Sequence, residues 1–300
     1  MKIAIAGGTG LIGKALTDYL HKSGHEIIIL TRQKPASSTS NGARYISWLN
    51  QDSSAIVEKL TEVDAFINLA GSTINTRWTD KGKEQIVESR LHMVKKLYCI
   101  IRDLPMKPKV FINASAVGFY GTSEEQTFTE SSRIAGSDFL AQTVVKWESE
   151  AKKFEAMGIR TVYCRFGVVL DSHGGALPRM VLPYRLFIGG TIGNGHQWLS
   201  WVHIQDVVRG ILFVIEHADV RGPVNFTAPE PVQMQEFGQT LATVLNKPHW
   251  LPVPSFALKM LLGEMSLLVL EGQKVLPKSL LNHGFSFHYP LLRQALEDIF

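Results

Sequence analysis

The sequence predicts an α/β fold, a doubly wound parallel sheet with a smaller, mostly helical C-terminal lobe. Two observations lead to this fold class. Apolar segments typical of strands alternate with amphipathic segments typical of helices over residues 1–166. The strand segments are apolar almost throughout, as in parallel sheets that helices cover on both faces. Right-handed crossovers then wind the sheet in two directions, as in Rossmann-type domains.

Each element of this region is predicted from its local pattern. The predicted strands are 2–6, 26–31, 44–48, 65–69, 110–114 and 160–165. The predicted helices are 11–20, 54–60, 83–102 and 139–157. Gly24, Pro105 and Gly158 follow three of these helices, and glycine and proline are residues at which helices commonly end.

A glycine-rich turn follows the first predicted strand. It has the spacing Gly7-x-x-Gly10-x-x-Gly13 and leads directly into helix 11–20. Glycines in such a turn permit a tight bend and a close approach to a pyrophosphate, which the helix N-terminus then binds. We therefore predict a dinucleotide site. Its predicted cofactor-binding residues are Gly7, Thr9, Gly10, Leu11, Ile12 and Gly13.

The end of the second strand indicates which dinucleotide binds. A site for NAD usually carries an acid there, which binds the 2′-hydroxyl of the ribose. This chain has Thr31 and Arg32 instead, and the planar guanidinium of Arg32 suits a 2′-phosphate. We therefore predict NADP (NADPH) as the cofactor, with Thr31 and Lys34 as further phosphate contacts. The alternative for Arg32 is a solvated surface arginine.

Two more strands should end at the same edge of the sheet, where ligands bind in open α/β folds. Strand 65–69 runs into Leu69, Ala70 and Gly71, whose small size would let a cofactor pass closely. We predict these residues as a wall of the cofactor site. The alternative is an ordinary exit from a strand into a loop.

Hydroxyl groups follow the next strand, 110–114. Ser115 comes directly after Ala114, a predicted cofactor contact, and Tyr120 follows five residues later. A hydroxyl at this edge can hold a carbonyl and polarise it for hydride transfer. The alternatives are a serine in a turn and a packed tyrosine.

Composition limits the class of protein. The chain has 300 residues, a net charge of +4 and no stripe of Lys and Arg with interleaved aromatics, so we expect no nucleic-acid partner. The histidine spacing suits no metal site. Since no apolar run reaches membrane-spanning length, we expect no membrane partner and a cytoplasmic location. Cys99 and Cys164 are expected to be buried reduced thiols.

Several motifs together resemble one known family. They are the Gly7 to Gly13 turn, Asn68-Leu69-Ala70-Gly71, Ser89-Arg90, Ser115 with Tyr120-Gly121, Lys146-Trp147-Glu148, Gly174-Gly175-Ala176, Trp201-Val202-His203 and Leu270-Glu271-Gly272-Gln273. Over essentially all of its length the chain resembles the atypical extended short-chain dehydrogenases/reductases. It is most similar to their epimerase-family branch, which is related to nucleotide-sugar epimerases. The last motif resembles that branch's small C-terminal domain of unassigned function.

One departure from the family pattern concerns its catalytic pair. These enzymes carry Tyr-x-x-x-Lys on the helix after the serine strand, where the tyrosine is the acid/base and the lysine lowers its pKa. Here Lys146 fills the lysine position but Gln142, which exchanges no proton, fills the tyrosine position. The resemblance then implies Ser115, Tyr120 and Lys146 as catalytic residues. Lys146 would also bind the cofactor ribose, and its alternative is a solvated helix lysine.

Further site residues are implied by their place in the family pattern. Arg90, on helix 83–102, would contact a cofactor phosphate, and Trp201 and His203 would line the substrate cleft. Arg179, with His173 on the preceding glycine-rich loop, would meet an acidic substrate group. The alternatives are an exposed charge for Arg90 and a packed residue that bonds to backbone for His203. Extended members often form homodimers through the two helices that correspond to 83–102 and 139–157, so the resemblance implies a homodimer here. The alternative is burial of these helices against the sheet.

We predict three regions along the chain. Residues 1–166 form the NADP-binding Rossmann-type domain, to which some later elements can return. Residues 167–250, where Pro and Gly recur more often, form a substrate-side lobe, and residues 251–300 form a small helical domain.

Two functions remain open at this point. The first is an NADP-dependent oxidoreductase or epimerase acting on an unidentified, nucleotide-sugar-like or other polar small molecule. The second is a non-catalytic module that senses NADP(H), which the missing tyrosine at Gln142 favours. The fold alone does not decide between them, because function belongs to the site.

Overall fold

The computed structural model describes residues 1–32, 42–49 and 51–300. Its strands are β1 (Lys2–Ala6), β2 (Glu26–Thr31), β3 (Arg44–Ser47), β4 (Ala65–Asn68), β5 (Val110–Ala116), β6 (Thr127–Phe128), β7 (Arg160–Phe166), β8 (Val168–Leu170), β9 (Trp198–Leu199), β10 (Trp201–His203), β11 (Gly222–Phe226), β12 (Val232–Gln233) and β13 (Lys274–Val275). Its helices are α1 (Leu11–Lys22), α2 (Ser53–Val57), α3 (Asp80–Asp103), α4 (Phe139–Ala151), α5 (Leu177–Arg185), α6 (Ile204–Glu216), α7 (Met234–Val244), α8 (Ser255–Leu262), α9 (Leu267–Leu270), α10 (Lys278–Asn282) and α11 (Leu292–Ile299). The segments Val117–Tyr120, Lys152–Met157 and Gly263–Ser266 are 3₁₀-helical.

Seven strands form one parallel sheet in the order β11-β7-β5-β4-β1-β2-β3. The chain builds outward from β1 through β2 and β3, and then continues on the other side of β1 with β4, β5, β7 and β11. Ligands of such sheets bind beyond the carboxyl ends of the strands, where the order reverses, here between β1 and β4. The predicted doubly wound sheet is confirmed. Its last strand, β11, comes from the chain after residue 166.

The central strands are buried along nearly their whole length. In β1 the side chains of Ile3, Ala4, Ile5 and Ala6 are all buried, as expected for a parallel strand with helices on both faces. Helix α1 packs with α6, and α3 packs with α2 and α4. These two groups of helices and the sheet share one apolar core.

A second apolar core joins the C-terminal region to the middle of the chain. It contains Trp201, Phe237 and Leu296, which belong to β10, α7 and α11. Helix α11 therefore packs against α7, and the C-terminal lobe has no separate core of its own among the described residues.

A buried carboxylate links α6 to this C-terminal region. The Asp206 side chain is fully buried. Its oxygens accept hydrogen bonds from the backbone N–H groups of His288 and Tyr289 and from the Arg209 guanidinium. Removing a buried charge that is bonded in this way costs more stability than breaking a surface ion pair, because its buried partners are left without a hydrogen-bond acceptor.

The substitution Asp206→Asn should destabilise the protein by about 2–4 kcal/mol, because an amide offers N–H groups where N–H donors already point. Chemical denaturation measures this change. The matched control is Glu297→Gln, which breaks the exposed Arg293–Glu297 pair on α11 and should cost less than about 1 kcal/mol. Equal costs for the two variants would contradict the role given to Asp206.

Candidate active site

The glycine turn between β1 and α1 lies against the chain that leaves β4. Gly7 has a φ of +84°, and a Cβ there would lie 2.7 Å from the carbonyl carbon of Leu69. A Cβ on Gly13 would lie 2.3 Å from the carbonyl oxygen of Gly7. No side chain caps α1 after Gly10. The turn thus brings backbone and free helix N–H groups close to any ligand above it, which suits an anion.

One cavity of about 570 Å³ runs from this turn along the carboxyl ends of β1, β4, β5 and β7. The predicted cofactor residues on its wall are Gly7, Gly10, Leu11, Ile12, Gly13, Leu69, Arg90 and Ala114. Ser115, predicted as catalytic, also lines it. The remaining predicted residues of the turn and of the β4 exit, Thr9, Ala70 and Gly71, adjoin these in the chain without lining the cavity.

Arg90 enters the cavity from α3. Its guanidinium lies 5.0 Å from the ring centroid of Trp147, and its Nη1 donates to the carbonyl of Ile86 at 2.9 Å. A Cβ on Gly71 would lie 3.4 Å from Arg90 Cγ. Burial lowers the pKa of Arg90 to about 10, so it stays charged at neutral pH. Among the described residues no carboxylate pairs with it, which leaves its charge for a bound anion.

Ser115 is part of a buried polar network behind the cavity wall. Its Oγ donates to Glu148 Oε1 at 2.5 Å. Arg165 donates to both oxygens of Glu148, at 2.8 and 2.7 Å, and its guanidinium lies 3.5 Å from the ring centroid of Phe119. The serine proton is thus directed to Glu148, and the lone pairs of Ser115 are left for a ligand.

Tyr120, predicted as catalytic, lies in a different place. Its side chain is buried in an apolar cluster, stacked on Phe128, and its hydroxyl donates to Asn225 Oδ1 at 2.8 Å. Burial raises the pKa of Tyr120, with an opposing effect of Arg165. It does not line the cavity. Its place in the core contradicts the acid–base role that the sequence analysis gave it.

The helix expected to carry the catalytic pair turns a different face to the cavity. Leu140, Thr143, Val144 and Trp147 of α4 line the cavity, whereas Lys146 and Gln142 are exposed. The placement of Lys146 contradicts its predicted contacts and fits the alternative of a solvated lysine. The reason is helical periodicity, since residues two positions apart project about 200° apart around the axis.

The predicted substrate contacts Trp201 and His203 are core residues. Trp201 is fully buried, and its Nε1 donates to the carbonyl of Glu230. The Nδ1 of His203 accepts the N–H of Gln205 and so caps α6. Neither residue lines the cavity, which does not support the predicted substrate contacts and fits the packed alternative for His203.

Two other predicted substrate contacts are exposed. Arg179, near the start of α5, does not line the cavity. The His173 side chain is 88% exposed and pairs with Asp171 at 3.2 Å. Neither placement supports the predicted contact with an acidic substrate group.

The predicted 2′-phosphate contacts lie at the carboxyl end of β2. Arg32 is exposed, and its carbonyl accepts the hydroxyl of Ser47 on the neighbouring β3. Thr31 is buried at the same strand end. Lys34 lies outside the described residues. The strand end that carries Arg32 is next to β1 and its glycine turn in the sheet.

The cavity has a second wall that sequence reasoning missed. It consists of Thr122, Trp198, Ser200, Leu267, Leu268, Glu271, Gly272 and Gln273. A Cβ on Gly272 would lie 1.9 Å from the carbonyl oxygen of Trp198, so only glycine fits there. Ser200 Oγ donates to the carbonyl of Gln273 at 2.8 Å. The motif Leu270-Glu271-Gly272-Gln273 was visible in the sequence, but its spacing suggested no chemistry.

Comparison with known proteins shows the class of protein. Residues 3–226 match the NAD dependent epimerase/dehydratase family, and residues 253–299 match a domain of unknown function, DUF1731. The chain belongs to the epimerase/dehydratase family, as its resemblance to extended short-chain dehydrogenases/reductases predicted.

Individual relatives cover the whole chain. The epimerase family protein YfhF of Bacillus subtilis is 48% identical over 100% of this chain and 98% of its own. The human epimerase family protein SDR39U1, whose crystal structure is with NADPH, is 34% identical with a TM-score of 0.89, over 100% of this chain and 99% of its own. A nucleoside-diphosphate sugar epimerase from Corynebacterium glutamicum is 33% identical with a TM-score of 0.79, over 100% of this chain and 58% of its own.

The described residues contain neither a candidate membrane span nor a candidate metal site. None of the helices there is long and apolar enough to cross a membrane. No group of three or more His, Cys, Asp or Glu side chains there is arranged to hold a metal ion.

The buried cap residue His203 should make stability depend on pH. Burial lowers its pKa, and Asp298, Asp206 and Asp171 oppose this effect. The folded state thus disfavours the charged ring, so stability is full above the ordinary histidine pKa and falls as the pH drops below it. His203→Asn, which keeps an acceptor for the cap, should make this loss of stability between pH 7 and 5 smaller.

Urea denaturation at several pH values measures this effect. The control is the same substitution at His173, whose side chain is exposed and caps no helix. An unchanged dependence in His203→Asn would rule out this role for His203.

Proposed function

We propose that this protein is an NADP-dependent oxidoreductase or epimerase-like enzyme of the extended short-chain type, acting on a small molecule. The observation that carries the proposal is the single cavity that joins the glycine turn to Ser115. The crystal structure of the human relative with NADPH, at 34% identity over the whole chain, supports the choice of cofactor. So does Arg32, a cation at the strand end where NAD sites carry an acid.

The residues of the cavity fit a dinucleotide. Additional Cβ atoms at Gly7 or Gly13 would collide with backbone, which leaves a cradle of bare backbone above the N-terminus of α1. Arg90 supplies a cation without a carboxylate partner among the described residues. We assign the pyrophosphate to the α1 N-terminus with Arg90, and the 2′-phosphate to Arg32. When bound, the nicotinamide ring supplies hydride transfer.

In this proposal, proton transfer uses Ser115 and the Glu148–Arg165 pair behind it. A substrate hydroxyl that donates to Ser115 Oγ can pass its proton there while the serine proton moves to Glu148 Oε1. Arg165 holds Glu148 with two hydrogen bonds and balances its charge. In the reverse direction the same path returns the proton to a carbonyl oxygen. Ser115 and Glu148 are the catalytic residues of this proposal, because both carry the proton, and Arg165 is a positioning residue.

The second candidate function is a non-catalytic NADP(H) sensor. The observation that favours it is the cavity face of α4, where Leu140 and Val144 stand one helical turn apart and no tyrosine or lysine is present. Such a protein would bind the cofactor and turn over no substrate.

Cofactor titrations test the binding assignments. Arg32→Ala should weaken NADPH binding by about 10- to 100-fold, since charged hydrogen bonds contribute about 1.5–3 kcal/mol. It should leave the affinity for NADH unchanged. Arg90→Gln should weaken NADPH and NADH by similar factors, because the pyrophosphate is common to both. Isothermal titration calorimetry measures each constant. An equal loss of affinity for NADPH and NADH in Arg32→Ala would refute the 2′-phosphate contact. If the wild type bound neither cofactor, the proposed function would be refuted.

Turnover separates the two candidate functions. NADPH oxidation and NADP⁺ reduction are followed with a panel of carbonyl compounds and alcohols. For any substrate that reacts, Ser115→Ala should lower kcat by about 100- to 1000-fold, as the loss of one preorganised polar contact does. Tyr120→Phe should retain most of the activity, because its hydroxyl bonds to Asn225 in the core. Tight NADPH binding with no turnover across the panel would favour the sensor.

A further inference from the structure

The two ends of the cavity lie over different strands. The glycine turn follows β1, whereas Phe166 ends β7 and Gly167 follows it, and β4 and β5 lie between these two strands. At about 4.8 Å between neighbouring strands, the two ends are roughly 14 Å apart. Under the proposed function the dinucleotide lies over β2, β1, β4 and β5. The β7 end, beyond Ser115, is then left for the substrate.

The wall of this substrate end is mostly apolar. Its apolar side chains are Phe166, Val168, Trp198, Leu199, Leu267 and Leu268. Its polar groups are largely engaged with protein. Ser200 Oγ bonds to the carbonyl of Gln273 and to the N–H of Val275, and Trp198 Nε1 donates to the carbonyl of Glu124. A ligand there is bound mainly by apolar contact.

The charged side chains that line this end are acidic. Lys274 Nζ lies 4.6 Å from the ring centroid of Trp198, but Lys274 does not line the cavity. Glu271, from the C-terminal segment, lines the cavity, and its Oε2 accepts the hydroxyl of Thr122 at 2.8 Å. In the chain as described, no Lys, Arg or His nitrogen pairs with this carboxylate. Asp138 also lines the cavity and caps α4 with its carboxylate. Arg90 is the single cationic residue among the described residues on the whole wall, and the cofactor phosphates require it.

These observations disagree with a nucleotide-sugar substrate. A diphosphate is recognised by Arg and Lys side chains or by free N–H groups, and a nearby carboxylate repels it. We propose that the substrate is instead an uncharged or cationic, mainly apolar molecule that carries one hydroxyl or carbonyl group. Glu271 of the C-terminal domain selects it by rejecting anions. This inference rests on the proposed function, because the cofactor must occupy the other end.

Three probes of one size and different charge test the selection. Benzyl alcohol, benzylamine and benzoate are each titrated into protein saturated with NADPH, and binding is measured by ligand-observed NMR. UDP-glucose is titrated separately in the same way. The alcohol and the amine should bind, and benzoate should bind about fivefold more weakly, because Glu271 is exposed and two like charges about 4 Å apart in water repel by about 1 kcal/mol. UDP-glucose should not bind. Absence of binding by the alcohol and the amine would overturn the inference, as would benzoate or UDP-glucose binding as tightly as the alcohol.

The substitution Glu271→Gln tests whether this carboxylate causes the discrimination against anions. It should reduce the preference for benzylamine over benzoate by about fivefold or more. The control is Glu264→Gln, an exposed acid of the same segment that pairs with Lys83 and does not line the cavity, and it should keep the preference. An unchanged preference in Glu271→Gln would overturn the role of Glu271. If the wild-type protein fails to bind NADPH, the proposed function is refuted. If it binds NADPH but prefers anionic probes, only this inference is refuted.

Discussion

The close approach of backbone around Gly7 is the constraint on which the rest of the structure depends. Side chains are excluded there because the turn after β1 lies against the chain leaving β4. This contact holds together the two strands between which the sheet order reverses, and it opens the N-terminus of α1 to the cavity. Helix α1 can start so close to the strand only because Gly13 also lacks a Cβ.

A second organising feature is the buried Glu148–Arg165 pair. It joins α4 to β7 and receives the hydroxyl of Ser115 from β5. Three elements thus meet on one ion pair at the edge of the cavity. A buried ion pair of this kind fixes the positions of its side chains more than it stabilises the fold, because desolvation offsets much of the attraction between the charges. Its consequence is a serine whose proton points away from the ligand, and that orientation decides which partners the serine accepts.

The sequence predicted six of the seven sheet strands, most of the element bounds within residues 1–166 and the glycine turn at one end of the cavity, because these depend on local pattern. Apolar strands and the glycine spacing act over a few residues each. The substrate end could not be predicted in the same way. A shift of two residues along α4 places Leu140 and Val144, not Gln142 and Lys146, on the cavity face. Residues over 140 positions apart, such as Thr122 and Glu271, meet only through tertiary packing.

The pairing of β6 with β13 joins residues 127–128 to residues 274–275, and this separation orders events during synthesis. A chain leaving the ribosome folds from its N-terminus, and pairings between distant segments form late. The glycine turn is encoded within the first strand and helix, whereas the wall with Glu271 needs nearly the whole chain. Under the functions proposed above, a nascent protein therefore forms its cofactor surface well before the wall that selects substrates.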